Sequence, residues 1–412
     1  MKILIVNHYA GSPQMGMEYR PYYLAKNWCE AGHKVVIICA SYSHLRIDNP
    51  KVEAAVETQI IDGIHYVFIK THSYSENNRK RTINIMEFLH GLYKNEVKIA
   101  KRLKPDVVIA SSTYPFDAYF AIKIAKISGA AFVYEIHDIW PLSLEVLHGY
   151  SEKHPLIRAI HTAQKKAVKS ADLVVSILAY ADRYLKENGL FPKRYLHIPN
   201  GIDFEEVNIT SNYLPLIQKY KQDGFFVLVY AGGFAQANAL NELILSAKNV
   251  DDDVVYILIG DGSEKVKIKR LIDKNNIKNI LLLDSIPKNE IKSVLTQADC
   301  LYIGAKKSIL YEYGIGMNKL YDYMNSGKPV ICGIQAADNP IEKAGCGVII
   351  PAENSVVIAQ AVQTLKAMTD EQRTEMGTKG KQYTKDYHDC NILAKNFATA
   401  LEQLFDIRSI HW

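Results

Sequence analysis

A glycine-rich segment near the carboxyl end, GIGMNKLYDYMNSGKPVI at residues 314–331, has the residue types of an anion-binding site. Its loop runs into a predicted helix that begins near Asn318, and the free N–H groups and positive dipole of a helix N-terminus favour an anion. Lys319, in the first turn, adds a point charge suited to a diphosphate. Asp322 lies one turn after Asn318, where its carboxylate could accept hydrogen bonds from two ribose hydroxyls. An ordinary loop-to-helix junction is the alternative, and the segment alone leaves both open.

Three further segments of the second half follow predicted strands. Gly232-Gly233 comes after FVLVYA, Gly260-Asp261-Gly262 begins at the end of VVYILIG, and the turn at 284–287 (DSIP) comes after residues 280–283. Glycines at such positions let a phosphate or sugar approach the backbone, and the last turn is placed where a nucleobase could lie. Tight turns and a capped helix start explain the same residues equally well.

Two segments of the first half are also candidates for polar sites. His137 and Asp138 follow a predicted buried strand in YEIHDIWP, and such a pair could form a polar site, although a buried histidine held by its neighbours is the alternative. The loop GSPQMGMEYR at 11–20 follows the first strand, and its glycines, Glu18 and Arg20 could hold an acceptor or a phosphate. No Gly-Lys-Ser/Thr follows it and no GxGxxG is present there, which disfavours a Walker site and a dinucleotide oxidoreductase.

Alternating strand and helix patterns must position these residues. Near-continuous Val/Ile/Leu runs of strand length alternate with helical spacing in both halves, which predicts two doubly wound parallel α/β sheets. The rhythm breaks near 201–223, so we predict domains at 1–203 and 204–385, followed by a segment at 386–412. Ligands bind at the carboxyl ends of parallel strands, so the predicted site is a cleft between the two sheets. Apolar spacing in the last segment predicts a helix that crosses back to the first domain, through Ile392, Leu393, Phe397, Leu401 and Leu404.

Composition excludes several classes of protein. The 412 residues include 23% charged and 48% hydrophobic residues, which is globular usage and excludes extensive disorder or a small disulfide scaffold. A net charge of +5 is too small to indicate a nucleic-acid partner. The six cysteines form no CxxC pair and no Cys/His cluster with zinc spacing, so we expect reduced core thiols and no metal. Neither a signal sequence nor a membrane span is evident, which predicts a cytoplasmic protein.

Basic residues concentrate between residues 79 and 104. Eight of them interleave there with apolar side chains, which is the composition of a helix that lies on an anionic membrane. A normal surface helix with a solvated face is the alternative. The basic residues are Arg79, Lys80, Arg81, Lys94, Lys98, Lys101, Arg102 and Lys104, and the apolar ones are Ile83, Ile85, Met86, Phe88, Leu89, Leu92 and Tyr93.

Taken together, these motifs resemble the retaining glycosyltransferases of family 4, which have the GT-B fold. The segments that carry the resemblance are, in chain order, KILIVNHYAGSP, GHKVVIICA, KPDVVIASS, EIHDIWP, HIPNGID, YAGG, IGDGSE, DSIPKNEI, the Ala298-Asp299 pair and GMNKLYDYMNSGKPVI. Within that family the chain is similar to the N-acetylfucosamine transferases of bacterial O-antigen and capsule assembly. The narrower resemblance rests on HYAGSP…GMEYRPYYLA, on ASYSHLR at 40–46 and on HDIWP.

The resemblance implies roles for individual residues. Lys319 and the helix start at Asn318 would hold the donor diphosphate, Asp322 would bind the ribose, and the turn at 284–287 would read a uracil base. His137, Asp138 and Lys319 are the implied catalytic residues, and the loop from Gly11 to Gly16 would close over the donor phosphates. The implied donor-binding residues are Gly16, Gly232, Gly233, Gly260, Asp261, Gly262, Ser285, Ile286, Gly316, Met317, Asn318, Lys319 and Asp322. The implied acceptor-binding residues are His8, Gly11, Glu18 and Arg20.

The sequence departs from the family pattern at two places. The first acid of the Glu-x7-Glu motif would fall at Gly314, so that contact to the donor sugar is lost. The Arg and Lys that many members carry after the YAGG strand are replaced by residues 234–238, FAQAN. Phosphate binding would then depend on Lys319 and backbone amides.

The resemblance implies a retaining transferase that moves a sugar, expected to be an N-acetylated amino sugar such as FucNAc or GlcNAc, from a UDP-sugar to a polyprenyl-diphosphate-linked saccharide. We expect it to act without a metal or cofactor at the inner face of the bacterial plasma membrane, touching the membrane through residues 79–104. A UDP-sugar epimerase of the same architecture would act without an acceptor. A non-catalytic nucleotide-sugar-binding protein would show no turnover.

Overall fold

The computed structural model describes residues 1–16, 19–74, 79–205 and 208–409, with the side chains of 406–409 left out. The chain forms two compact units, one made of Met1–Asn200 with the segment from Cys390 onward, the other of Gly201–Asp389. The boundaries thus fall after Asn200 and Asp389, where the sequence suggested 203 and 385. The predicted architecture of parallel α/β sheets in both halves is confirmed.

The first unit contains an eight-stranded sheet in the order β3-β4-β2-β1-β5-β6-β7-β8. All neighbouring strands are parallel except the β3–β4 hairpin, whose turn residues Asp62 and Gly63 have the positive φ angles that a two-residue turn requires. Apolar side chains bury the central strands on both faces. Its strands are β1 (Lys2–Val6), β2 (Lys34–Ala40), β3 (Val56–Ile61), β4 (Ile64–Ile69), β5 (Val107–Ala110), β6 (Ala131–Ile136), β7 (Leu173–Ser176) and β8 (Tyr195–His197). The helices of this unit that precede Asn200 are α1 (Arg20–Glu30), α2 (Arg79–Leu103), α3 (Ala118–Ser128), α4 (Leu142–His148), α5 (Pro155–Ser170) and α6 (Ala181–Glu187).

The second unit contains a six-stranded, all-parallel sheet in the order β11-β10-β9-β12-β13-β14, with an apolar core on each face. Its strands are β9 (Phe226–Ala231), β10 (Val254–Ile259), β11 (Ile280–Leu283), β12 (Cys300–Gly304), β13 (Val330–Gly333) and β14 (Gly347–Ile349). Its helices are α7 (Leu214–Gln222), α8 (Leu240–Ser246), α9 (Lys265–Lys274), α10 (Lys288–Leu295), α11 (Asn318–Asn325), α12 (Pro340–Ala344), α13 (Ser355–Ala367) and α14 (Asp370–Tyr387).

The last helix, α15 (Cys390–Ser409), packs on α1 in the first unit. Phe397 is fully buried there, with its ring centroid 5.3 Å from that of Trp28. The indole N–H of Trp28 donates a hydrogen bond of 2.8 Å to the carbonyl of Ala394. Leu393, Leu401 and Leu404 are buried as the apolar spacing suggested. Ile392, which the same spacing included, is 38% exposed, because the helical period places it on the side of α15 away from the stripe that faces α1.

All six cysteines are free thiols. Among the described residues, no helix has both the length and the apolar character needed to cross a bilayer.

Candidate functional site

Lys319 is the centre of the candidate site in the second unit. It lies in the first turn of α11, where Met317 at the N-cap position offers no oxygen to the free N–H groups. Its Nζ contacts the Tyr230 hydroxyl at 3.1 Å and the Asn238 Oδ1 at 2.7 Å, and lies 4.9 Å from the Tyr230 ring centroid. Within the described part of the chain this ammonium has no acidic partner, and burial lowers its pKa from 10.5 to about 7.

Tyr323 holds α11 against the end of β9. Its hydroxyl donates to the carbonyl of Ala231 at 3.0 Å and accepts from the Ala231 N–H at 2.8 Å. These bonds keep the helix start beside Gly232, where an added Cβ would lie 3.3 Å from the Lys319 side chain. The positive end of the α11 dipole, the Lys319 ammonium and the backbone of Gly232 therefore lie side by side, and such an arrangement binds phosphate.

The glycines after β9 and β10 serve mainly to pack two loops together. A Cβ on Gly260 would lie 2.0 Å from the carbonyl oxygen of Gly232, and one on Gly262, at φ +152°, would lie 2.5 Å from that of Phe234. Phe234 donates its N–H to Asp261 at 2.7 Å and accepts one from Glu264 at 2.9 Å. Backbone packing thus requires Gly260 and Gly262 whatever the ligand, whereas Gly233 has open space around it.

The remaining predicted donor residues lie at the same edge of the sheet. Asp322 is largely buried, which raises the pKa of its carboxyl, and that carboxyl accepts no hydrogen bond within the described ranges. Ser285 is exposed and Ile286 partly buried, in the turn after β11. Lys265 connects this turn to the one after β10, since its Nζ lies 2.6 Å from Asp284 and 3.9 Å from Asp261. Gly316 is partly buried and Asn318 exposed at the start of α11.

Gly314, where the family pattern places its first acid, has φ +123°. That backbone conformation favours glycine and would strain a glutamate. The departure seen in the sequence is therefore built into the local backbone.

In the first unit the candidate site centres on Glu135, a residue that sequence analysis did not select. It sits in β6 and is 2% exposed. Arg20 contacts its Oε1 through two nitrogens at 2.9 and 3.0 Å, Ser111 donates to Oε2 at 2.6 Å, and the Nε2 of His137 lies 3.2 Å from Oε2. Burial alone would raise the pKa of Glu135, but the charge of Arg20 and the hydrogen bonds from His137 and Ser111 outweigh it and hold that pKa well below its usual range.

This network determines which nitrogen of His137 is left for a ligand. Glu135 is ionised and Ser111 already donates its hydroxyl proton to it, so Nε2 of His137 must carry a proton toward these two acceptors, the Ser111 oxygen being 2.9 Å away. In the neutral ring, Nδ1 is then an acceptor, and it makes no hydrogen bond inside the described part of the chain. The role of His137 near the donor sugar stays a prediction.

Arg20 corrects an expectation about acceptor binding. Besides Glu135, its guanidinium donates to the carbonyls of Ile198 and Pro199 at 2.8 and 2.7 Å and contacts the Asn200 side chain at 3.5 Å. A guanidinium has five N–H donors, and all are engaged in these bonds. Arg20 therefore positions Glu135 rather than presenting itself to an acceptor.

His8 is also interior, at 0% exposed. Its Nε2 lies 2.7 Å from the Asn84 Oδ1 and its Nδ1 contacts the Tyr114 hydroxyl. The Asn84 amide N–H groups donate to the Thr71 hydroxyl and to the carbonyl of His72. Its Oδ1 is therefore the acceptor for the N–H of His8. Burial is the main cause that lowers the pKa of His8 to about 3. Direct acceptor contact by His8 is contradicted by this burial, and its neutral ring supports the edge of the sheet instead.

The loop after β1 packs against the segment after β2. Gly11 accepts from the Tyr66 hydroxyl at 2.8 Å, and Gly16, at φ +75°, closes a turn with Ser12 at 2.9 Å. Arg46, 5% exposed, donates to the carbonyls of Ala10 and Ala40. Glu18, a predicted acceptor contact, lies outside the described residues.

Asp138 holds a local turn. Its Oδ1 accepts from the Ile139 N–H at 2.7 Å and the Ser143 hydroxyl at 2.5 Å, and burial raises its pKa. A catalytic role for Asp138 stays a prediction. In the described ranges no group of three or more His, Cys, Asp or Glu side chains could hold a metal ion, and the independence from metal remains an expectation.

Comparison with known proteins agrees with both halves of this description. Residues 15–206 match the family described as Glycosyltransferase Family 4, and residues 216–383 match Glycosyl transferases group 1. The chain therefore belongs to the glycosyltransferases, with the two parallel-sheet domains of the GT-B fold.

Individual relatives are distant. A phosphatidylinositol N-acetylglucosaminyltransferase subunit of Arabidopsis thaliana is 22% identical over 72% of this chain, and the chain spans 60% of that relative's length. Sucrose-phosphate synthase of Thermosynechococcus elongatus has a similar fold, with a TM-score of 0.76, 14% identity and coverage of 99% and 100% of the two chains. Anabaena Alr3699/HepE in complex with UDP and glucose has a TM-score of 0.70, 14% identity and coverage of 98% and 100%.

Proposed function

We propose that this protein transfers a sugar from a UDP-sugar, bound by the second unit, to an acceptor bound by the first. The observation that carries the proposal is the Lys319 ammonium. It is held at the start of α11 by two neutral oxygens and has no acidic partner among the described residues. A buried cation without a counter-charge is costly, and a bound diphosphate would supply that charge.

Lys319 would act mainly on the leaving group. As the bond to the sugar breaks, negative charge accumulates on the diphosphate, and a preorganised ammonium and helix dipole stabilise it there. Asp322, whose carboxyl has no hydrogen-bond partner in the described part of the chain, is the proposed ribose contact. UDP as the nucleotide is supported by the Anabaena structure named above, which is a complex with UDP and glucose.

We further propose that transfer proceeds with retention and without a protein nucleophile. Glu135 is the buried carboxylate of the first-unit site, and Arg20, Ser111 and His137 occupy its oxygens. A carboxylate so engaged is a poor nucleophile. Front-face attack, in which the departing phosphate accepts the proton of the acceptor hydroxyl, needs no enzyme carboxylate. The Nδ1 of His137 would accept a hydrogen bond from a donor-sugar hydroxyl.

The acceptor we propose is a polyprenyl-diphosphate-linked saccharide at the inner face of the bacterial plasma membrane, as in O-antigen or capsule assembly. On α2, exposed apolar side chains at Ile83, Met86, Tyr93 and Val97 share a face, at 52%, 61%, 60% and 43% exposed. Exposed lysines interleave with them, while the helix acids are engaged, Glu87 with His72 and Glu96 with Lys123. Such a face suits an anionic lipid surface. The Arabidopsis relative carries both a lipid and an amino sugar in its name, which supports an N-acetylated sugar and a lipid acceptor.

Nucleotide calorimetry tests the donor site. UDP, GDP and ADP are titrated into the full chain with EDTA present, and UDP is expected to bind most tightly. Lys319→Met should weaken UDP binding about 10- to 100-fold, because a hydrogen bond to a charged group contributes about 1.5–3 kcal/mol. Lys274→Met, at an exposed lysine of the same unit, is the matched control and should bind UDP as the wild type does.

Turnover separates the transferase from its rivals. Consumption of UDP-sugar only when a lipid-linked saccharide is present supports the transferase. Conversion of the donor alone would identify an epimerase. UDP binding without turnover under any acceptor would identify a binding protein.

A further inference from the structure

A long groove opens between helix α2 and the outer strands of the first unit's sheet. The helix touches the sheet at Gly91, where an added Cβ would lie 2.3 Å from the Cγ2 of Ile69. Two cavities of about 370 and 320 Å³ flank this contact, and they share Val56, Ile69 and Asn95. The two cavities adjoin along these residues, and we call the pair the α2 groove.

The α2 groove has an apolar floor and a basic rim. The sheet presents Val36, Ile38 and Val67 to it, and α2 contributes Ile99 and Leu103. Lys94 lies in the wall of the larger cavity, while Lys98 and Arg102 lie in that of the smaller. Of the described residues that line the smaller cavity, none is acidic. In the larger, Glu87 is paired with His72.

The α2 groove leads toward the site in the first unit. Its smaller cavity starts at His65 near the beginning of β4, and its larger cavity reaches Thr71 and His72 beyond the end of β4. Thr71 and His72 are the residues to which Asn84 donates, and the oxygen of Asn84 accepts from His8 at the end of β1. One end of the α2 groove therefore lies at the carboxyl edge of this sheet, four strands from Glu135 in the order β4-β2-β1-β5-β6.

We propose that the α2 groove binds the proximal prenyl units of the acceptor's lipid, with Lys94 of the larger cavity facing the diphosphate. This inference rests on the proposed function, since it assigns the acceptor's lipid to a place. Apolar walls remove hydrocarbon from water, and the rim complements the charge of the phosphates. A flat membrane contact through α2 alone would use its exposed face and would leave this groove without an occupant.

Farnesyl diphosphate is the soluble probe of this proposal. The full chain should bind it, and should bind geranyl diphosphate at least tenfold more weakly, because each buried methylene strengthens binding about fourfold. Inorganic diphosphate should bind more weakly still. Equal affinity for farnesyl and inorganic diphosphate would overturn the proposal, because only the phosphates would then be recognised. Equal affinity for lysophosphatidic acid would also overturn it, because the groove would then serve acyl lipids in general.

Thr58→Trp tests the location. Thr58 lines the groove from the exposed side of edge strand β3, so an indole there would fill it, and farnesyl diphosphate should bind at least tenfold more weakly. Gln59→Trp places the same ring on the opposite face of β3 and should bind the probe as the wild type does. An unchanged affinity in Thr58→Trp would refute the assignment.

Two charge-reversal variants of α2 test the role of the rim. Lys94→Glu, in the wall of the larger cavity, should weaken binding of farnesyl diphosphate, whereas Lys101→Glu, exposed on the same helix but outside the groove, should not. UDP affinity, measured on every variant, reports folding and the donor site separately. If UDP binds normally and the groove variants have no effect, this inference fails alone. If UDP does not bind at all, the proposed function fails, whatever the prenyl probe does.

Discussion

Lys319 should make UDP binding depend on pH. Burial lowers its pKa from 10.5 to about 7, so in the free protein the ammonium is largely lost above neutrality. A diphosphate stabilises the charged form, and the pKa of Lys319 must rise when UDP binds. Binding above pH 7 is therefore coupled to the uptake of one proton.

The pH range of this coupling is set by the pKa of Lys319 in the free protein and by its pKa in the UDP complex. Below pH 7 the lysine is charged with or without UDP, and its contribution to the affinity is constant. Above pH 7, each further pH unit weakens UDP binding by about 1.4 kcal/mol, or about tenfold in affinity, until the pH reaches the pKa of Lys319 in the complex. Between pH 7 and pH 9 the dissociation constant should therefore rise by roughly 5- to 50-fold, the upper figure holding if the bound pKa lies well above 9.

Calorimetry at pH 7, 8 and 9, in buffers of different ionisation enthalpy, measures both the affinity and the protons taken up. The wild type should take up close to one proton per UDP at pH 8–9. Lys319→Met should bind weakly and without this proton. Lys319→Arg, which stays charged, should show a flat profile. A wild-type profile as flat as that of Lys319→Met would refute the reasoning.

The lowered pKa of Lys319 also affects stability. As the pH rises above 7, the folded protein should become more stable while UDP binding becomes weaker. Between pH 7 and 10.5 the unfolded chain holds the Lys319 proton that the folded chain has lost, so the free energy of unfolding rises with pH across this range. Below pH 7 the full cost of the buried charge is present. Lys319→Met should therefore raise the free energy of unfolding at pH 7 by about 1–3 kcal/mol, less than the full cost because the bonds to Tyr230 and Asn238 are lost. Urea denaturation would measure this, and a destabilised variant would contradict it.

Three further predictions concern packing. Gly260→Ala should destabilise the second unit by about 1–3 kcal/mol in urea denaturation and weaken UDP binding, because the added Cβ meets the backbone of Gly232. Gly233→Ala is the control: the space around Gly233 is open, and stability should change by less than about 0.5 kcal/mol. Glu135→Gln should cost about 3–5 kcal/mol, since it leaves the Arg20 guanidinium buried without a counter-charge; a loss below about 1 kcal/mol would show that the pair is not a true buried ion pair. Phe397→Ala should cost about 3–5 kcal/mol of the unfolding free energy of the first unit, and an unchanged thermal midpoint would mean that α15 is dispensable there.

Much of the architecture is legible in the sequence because it depends on local pattern. Runs such as KILIV and FVLVYA are apolar without interruption, and strands buried on both faces require that pattern. The start of α11 at Asn318 follows from a glycine loop that meets helical spacing. Lys319 and Asp322 were accessible to sequence reasoning for the same reason, since both lie within one turn or so of that helix start.

The partners of those residues were not legible. Tyr230 and Asn238, which hold Lys319, come from β9 and the loop after it, 89 and 81 positions away. Asn238 belongs to the segment in which the sequence showed only missing basic residues. Its amide is what orients the lysine, and no spacing rule connects the two.

Glu135 shows the limit most clearly. In the sequence it is a single polar residue in an apolar strand. Arg20, its partner 115 positions earlier, was predicted to bind the acceptor instead. His8 was assigned there too, although it is fully buried. Apolar periodicity depends on neighbours along the chain and can be predicted from them. A buried charge or imidazole is stable only with partners that satisfy every donor and acceptor, and those partners are brought together by the packing of strands and helices distant in sequence. The sequence by itself determined the two sheets and the lysine at a helix start, and only the tertiary structure decided which polar side chains are available to a ligand and which are committed to each other.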